Sequence, residues 1–119
     1  MVDERSVKEK AYLAVEAARD KKAEDIRLLE VGKLTIIADY FIICSGNNER
    51  QVEAIARGIK EDLGEEEIFP LRTAGREDAR WILMDYADFI VHIFHHEERD
   101  FYELERLWAD AKRLLAEQG

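Results

Sequence analysis

The chain has one cysteine and one proline. A lone thiol, Cys44, allows neither an intramolecular disulfide nor a zinc site built on cysteines. It sits in the apolar run YFIICSG and reads as a small buried hydrophobe, with nothing basic beside it to activate it. Long hydrophobic runs are also missing: none approaches the ~20 residues of a membrane-spanning helix. The polar stretch Met1 to Lys10 has neither a signal-peptide core nor an Arg-rich transit pattern, so the expected location is the cytoplasm and no membrane partner is expected. Positive charge is the third shortage, with 18 Lys and Arg against 27 Asp and Glu and a formal charge of −9. Such a field repels phosphate, so little direct nucleic-acid binding is expected and a basic protein partner fits better. No repeat or low-complexity linker divides the 119 residues, which read as one domain, 1–119, able to fold around a single core without disulfides or metal.

What is present is a well-patterned α/β chain, 47% hydrophobic and 38% charged. Its organising stretch is WILMDYADFIVHIF, Trp81 to Phe94, two β-branched and aromatic runs that predict a hairpin. With Tyr86 and Ala87 as the loop, Asp85 faces Asp88, Leu83 faces Ile90 and Trp81 faces His92. One face then carries Ile82, Met84, Phe89, Val91 and Ile93, uniformly apolar and suited to lying under helices. The other carries Trp81, Leu83, Asp85, Asp88, Ile90 and His92, a mixed surface suited either to meeting another protein or to a sheet covered on both sides. Ala87 is an unusual residue for a tight hairpin loop, where Gly or Asn supplies positive φ.

Around this hairpin the spacing predicts a first helix capped by Ser6, with Glu9 completing a capping box, running to about Asp20 or Lys22. Ile26 to Val31 is a strand near an edge. Tyr40 to Cys44 is a strand buried on both sides, hence central. A second helix starts at Asn47 or Asn48, packs Val52, Ile55, Ala56, Ile59 and Leu63, and stops at Gly64. Ile68 to Arg72 is a strand interrupted by Pro70, and Thr73 to Ala79 is a loop around Gly75. A last helix begins at Asp100, with Phe101, Leu104, Leu107, Trp108, Ala111, Leu114 and Leu115 on its apolar side. The order is α, β, β, α, β, β, β, α: an α/β domain with a mixed sheet of about five strands and packed helices. If the strands at Tyr40 and Arg72 are parallel, the helix between them makes a right-handed crossover.

Catalytic signals are sparse. His92 points away from His95 on a strand, so the two cannot share an ion, and His95 and His96 beside Glu97 read as a polar strand end. Ser45-Gly46 stands at a strand-to-helix turn without a Gly-rich loop or a nucleophile motif. A nucleotidyltransferase-like metal-dependent enzyme would have to use Ser45, Asp85 and Asp88, with both carboxylates at a hairpin tip. The expectation is therefore no enzyme activity, no cofactor and no metal.

The segments DYFIICSG (Asp39 to Gly46), RQVEAIA (Arg50 to Ala56), WILMDYADFIVHIF and FYELERLW (Phe101 to Trp108) together resemble the ribosomal silencing factor, or Iojap, family. The likeness runs from Val7 to Trp108. It is most specific in the hairpin, where Trp81, the Asp85-Tyr86 pair, Asp88 and the Val91-His92 pair occur in order. The family often has Gly where Ala87 stands and an acidic residue where Ala74 stands. The resemblance implies a fold similar to nucleotidyltransferases but lacking their catalytic metal site. It also implies binding to universal large-subunit ribosomal protein 14, which would sterically block joining of the small subunit and repress translation; some relatives act in large-subunit assembly, and dimers occur. Carried over residue by residue, the binding surface is Trp81, Leu83 and Ile90 as apolar anchors, Tyr86 as an aromatic contact at the tip, Asp85 and Asp88 as partners for Lys or Arg, and His92 orienting against Trp81 or donating to a carbonyl. Arg50 and Gln51 are further candidates, although helix capping explains their position equally well.

Overall fold

The structure, a computed structural model, describes residues 5–98 and 112–116. Among the described residues, two helices and six strands follow in the order α1 (Val7–Asp20), β1 (Glu24–Glu30), β2 (Tyr40–Gly46), α2 (Glu49–Glu65), β3 (Arg72–Ala74), β4 (Trp81–Asp85), β5 (Phe89–His95) and β6 (Lys112–Ala116). The strands form one mixed sheet in the order β3-β4-β5-β2-β1-β6. The expected mixed α/β architecture is what the chain adopts, with one strand more than expected.

Helix boundaries follow from local chemistry. Ser6 accepts the Glu9 N–H while the Glu9 side chain reaches back to the Ser6 N–H, the capping box expected at the start of α1. Asn48 accepts the Gln51 N–H at 2.8 Å and opens α2. The second helix does not stop at Gly64 but runs to Glu65, and the chain leaves it through Glu67, which holds φ +62°. Val52, Ile55, Ala56, Ile59 and Leu63 are buried as the spacing predicts, together with Gly58.

At the centre of the sheet, β2 pairs in parallel with β5, from Tyr40↔Phe89 to Gly46↔His95, and antiparallel with β1. Thus the unbroken apolar run at Tyr40 is central. Its parallel neighbour is β5, however, and the strand after α2 lies two positions further out. That strand is shorter than expected and displaced toward the carboxyl end, Arg72–Ala74, taking Thr73 and Ala74 from the expected loop, because Pro70 has no N–H for a ladder and the pairing begins only when Leu71 donates to the Asp85 carbonyl at 2.7 Å. The C-terminal expectation also changes. Residues 99–111 lie outside the described residues, but Lys112–Ala116 is a strand rather than the end of a helix, paired antiparallel with β1. A strand edge on β1 supplies ladder partners that outweigh helix propensity in this short segment. This pairing places β1 second from the sheet's edge.

Alternation along the strands sorts side chains into two clusters. Ile26, Leu28, Ile42, Cys44, Ile82, Met84, Tyr86, Phe89, Val91 and Ile93 pack with the buried faces of α1 and α2. Leu29, Val31, Ala38, Phe41, Ile43, Ile90 and Phe94 form a separate cluster on the opposite face, edged by the partly buried Trp81 and Leu83.

Candidate functional site

The hairpin keeps the predicted faces but shifts its register by two residues. Trp81 lies opposite Phe94, Leu83 opposite His92 and Asp85 opposite Ile90. Tyr86 donates its N–H to Phe89 at 3.0 Å, so the loop is Ala87-Asp88. A carboxylate directs this shift: Asp85 Oδ1 accepts the Ala87 N–H at 2.8 Å, and Ala87 adopts φ +70°. Because a slip of two residues preserves side-chain alternation, the face assignment survives.

Trp81 is fixed from three sides. Its ring stacks on Phe94 with centroids 4.9 Å apart, and its Nε1–H donates to His92 Nδ1 at 3.2 Å. Behind it, Gly75 holds φ +86°, and a Cβ there would lie 2.0 Å from the Trp81 carbonyl oxygen, a contact only glycine permits. The register shift makes the Trp81–His92 contact diagonal, yet the expected pairing of the two side chains persists. Phe41 meets the His92 ring edge-on at 5.0 Å.

Several site residues are less accessible than the sequence suggested. His92 is 5% exposed and Ile90 6%, because β5 lies between β4 and β2 and its side chains on this face are hemmed in from both flanks. Neither residue looks outward. Burial depresses the His92 pKa to about 4, which keeps the ring neutral. With Nδ1 accepting from Trp81, Nε2 carries the proton, and that buried N–H has no hydrogen-bond partner among the described residues. Tyr86 is likewise not a contact at the tip. It is 7% exposed, stacks on Phe89 at 4.8 Å in the helix-side core, and its hydroxyl, without a hydrogen-bond partner among the described residues, is pushed up in pKa by burial.

The open part of the mixed face is therefore its rim. Trp81, Leu83 and Asp85 are half-buried and Asp88 is exposed. Asp85 Oδ2 also pairs with the exposed Arg72 at 3.5 Å. Beside the tip, the Asp39 N–H donates to the Asp88 carbonyl at 2.8 Å and ties the β1–β2 connection to the hairpin.

The opposite end of the sheet is organised around Arg80. Its guanidinium reaches Glu98 at 2.8 Å, Glu49 at 3.0 Å and Glu97 at 3.1 Å, and these carboxylates, Glu98 foremost, raise its pKa. In return Arg80 is the main cause lowering the Glu97 carboxyl. Glu49 is lowered first by a backbone N–H and then by Arg80. His95, His96 and Glu97 place ligand atoms within 4.8 Å of one another. Glu97 is engaged by Arg80, and His95 Nδ1 accepts the Glu97 N–H at 3.2 Å, so this cluster is better described as an ion-pair hub. Gln51 is used internally: it accepts from Asn47 at 2.7 Å and donates to the Lys22 carbonyl at 3.0 Å. Arg50 is exposed in the first turn of α2, at the Arg80 end of β4 rather than at the tip. Ser45 is buried beside Phe94, whereas Asp85 lies beside Ile90, four residues away along β5 and hence ~13 Å at strand spacing. The structure does not bring Ser45 to Asp85 and Asp88.

Fold and rim together define a mixed α/β domain whose distinctive feature is a surface, with its serine and carboxylates held apart. The chain belongs to the family described as ribosomal silencing factor during starvation, whose sequence model matches residues 4–118. It is 48% identical over 112 residues to ribosomal silencing factor RsfS of Halalkalibacterium halodurans, covering 94% of this chain and 96% of the relative. A crystal structure of a Chromobacterium violaceum protein superposes with a TM-score of 0.86 at 34% identity, covering 88% of each chain. A more distant mouse relative, 26% identical over 81% of this chain and 43% of its own length, is named mitochondrial assembly of ribosomal large subunit protein 1.

Proposed function

We propose that this chain is a non-enzymatic ribosomal silencing factor. It binds the large ribosomal subunit through universal large-subunit ribosomal protein 14, prevents the small subunit from joining and so represses translation in the cytoplasm. The observation that carries this reading is the rim, where Trp81 and Leu83 stand half-buried beside the carboxylates of Asp85 and Asp88. An aromatic anchor flanked by acids suits a basic protein surface, and the net charge of −9 steers such a partner in. His92 acts through Trp81, fixing the indole by its hydrogen bond, while Ile90 and Tyr86 support the rim from beneath. Orientation of the indole before binding lowers the ordering cost of docking.

The test is co-sedimentation with purified large subunits, followed by a subunit-joining assay. Trp81→Ala removes an anchor worth on the order of 2 kcal/mol of binding and should abolish the block to joining. A folded variant that binds and blocks like the parent removes the rim from the function. The name of the mouse relative favours a second reading, a role in large-subunit assembly through the same surface. Accumulation of immature large subunits in cells lacking the protein, with subunit joining unaffected, would select it.

A further inference from the structure

The connection between β1 and β2 exposes three large aliphatic side chains within four residues: Leu34 at 46%, Ile36 at 104% and Ile37 at 62%. Their backbone is nonetheless tightly organised. At the base, the Val31 and Gly32 N–H groups both donate to the Asp39 carbonyl, at 2.9 and 3.1 Å. Inside the loop, Leu34 and Thr35 donate to the Val31 carbonyl, and Thr35 Oγ1 accepts the Ile37 N–H at 3.1 Å. The base is also close-packed, since a Cβ on Gly32 would come within 2.9 Å of Asp39 Oδ1. Ala38 anchors the far end in the same cluster as Ile90 and Phe94, against which Trp81 and Leu83 pack.

We infer that the 34–37 loop is the second half of the docking surface, and that its isoleucines pack on apolar side chains of the same basic ribosomal protein that meets the Trp81 rim. This inference rests on the function proposed above. Continuity supports it, because the Asp39–Asp88 hydrogen bond holds the loop against the hairpin tip. Charge selects the occupant. Asp39 and Asp88 are exposed and Asp85 is half-buried, with Lys33 the cation within the loop and Arg72 paired to Asp85. Carboxylates around an apolar patch disfavour RNA and anionic lipid and favour a cationic protein. A second copy docking through the same patch about a two-fold axis would bring these acids against their own equivalents. An ordered backbone that displays aliphatic groups to water is preorganised for a partner.

Ile36→Ser combined with Ile37→Ser in the full chain tests the inference, because these exposed side chains contribute little to the fold. Affinity for purified large ribosomal subunits is compared with that of the parent and of Trp81→Ala. A loss on the order of tenfold or more in the double variant, with unchanged melting, is expected. Binding within twofold of the parent, while Trp81→Ala is weakened, would overturn the loop's role and leave the rim intact. If neither variant weakens binding, rim and loop fall together. A double variant that keeps its ribosome affinity but loses self-association in light scattering would assign the patch to a second copy and also overturn the proposal.

Discussion

The two faces of the central sheet are made by the same strands in strict alternation, yet they obey different rules. Under α1 and α2 the side chains are almost uniformly aliphatic or aromatic, and Phe89, Val91, Ile93, Ile82 and Met84 fill space in a dry layer. On the other face, the apolar cluster carries a histidine bonded to a tryptophan, and its edge ends in carboxylates. A layer that only has to exclude water tolerates many residues of suitable volume. A surface that presents one indole in one orientation requires particular neighbours, and it retains a buried His92 N–H with no partner among the described residues. Under the proposed function, stability and recognition fall on opposite sides of one ladder.

Substitutions should separate the two sides. The largest stability effect belongs to the helix-side face: Phe89→Ala should cost about 3–5 kcal/mol in chemical denaturation, whereas Trp81→Ala should lose ribosome binding with a smaller loss of stability. Equal destabilisation by both variants would break the distinction. Gly75→Ala should cost about 3 kcal/mol, since it adds positive-φ strain and a clash with the Trp81 carbonyl; a melting point within a degree of the parent would show that the β3–β4 turn yields easily.

Acid should act through the mixed face. The His92 pKa is about 4 in the folded chain, below the ~6.5 of an unfolded histidine. Between these values the unfolded state binds the extra proton, so the stability of the neutral ring is fully present above about pH 6.5 and is lost as pH falls toward 4. The loss should reach roughly 3 kcal/mol. His92→Gln should flatten that part of the stability–pH curve, and an unchanged slope would assign the proton uptake elsewhere. The smallest effects lie in the loop. Asp85→Ala should cost about 1 kcal/mol by releasing the Ala87 N–H, and Ala87→Gly should stabilise by up to about 1 kcal/mol by relieving positive φ. A destabilised Ala87→Gly would show that the methyl group packs on something essential.

Much of this division was legible in the chain. Period-two alternation sorted the hairpin residues correctly, and the unbroken YFIIC run marked the central strand. Loop placement was not legible, because the preference of Ala87 against positive φ is overridden by the Asp85 carboxylate and by burial of Tyr86. The burial of His92, with Ile90 beside it, stood open between two readings, and β5 lying between β4 and β2 decides it, a fact of topology rather than of spacing. Leu114 and Leu115 fit a helical stripe as readily as a strand, and only pairing with β1 decides between them. The loop at Ile36 gave no periodic signal, since its aliphatic groups serve no face of the fold.

The parallel ladder between β2 and β5 joins residues 40–46 to 89–95, with a helix and two strands between them. Such a ladder closes only after a long stretch of chain has been brought together, whereas the hairpin needs only its own turn and can form in microseconds. The element bearing Trp81 can therefore assemble early and dock late, so the overall folding rate should be governed by the journey of β2 to β5 rather than by the hairpin.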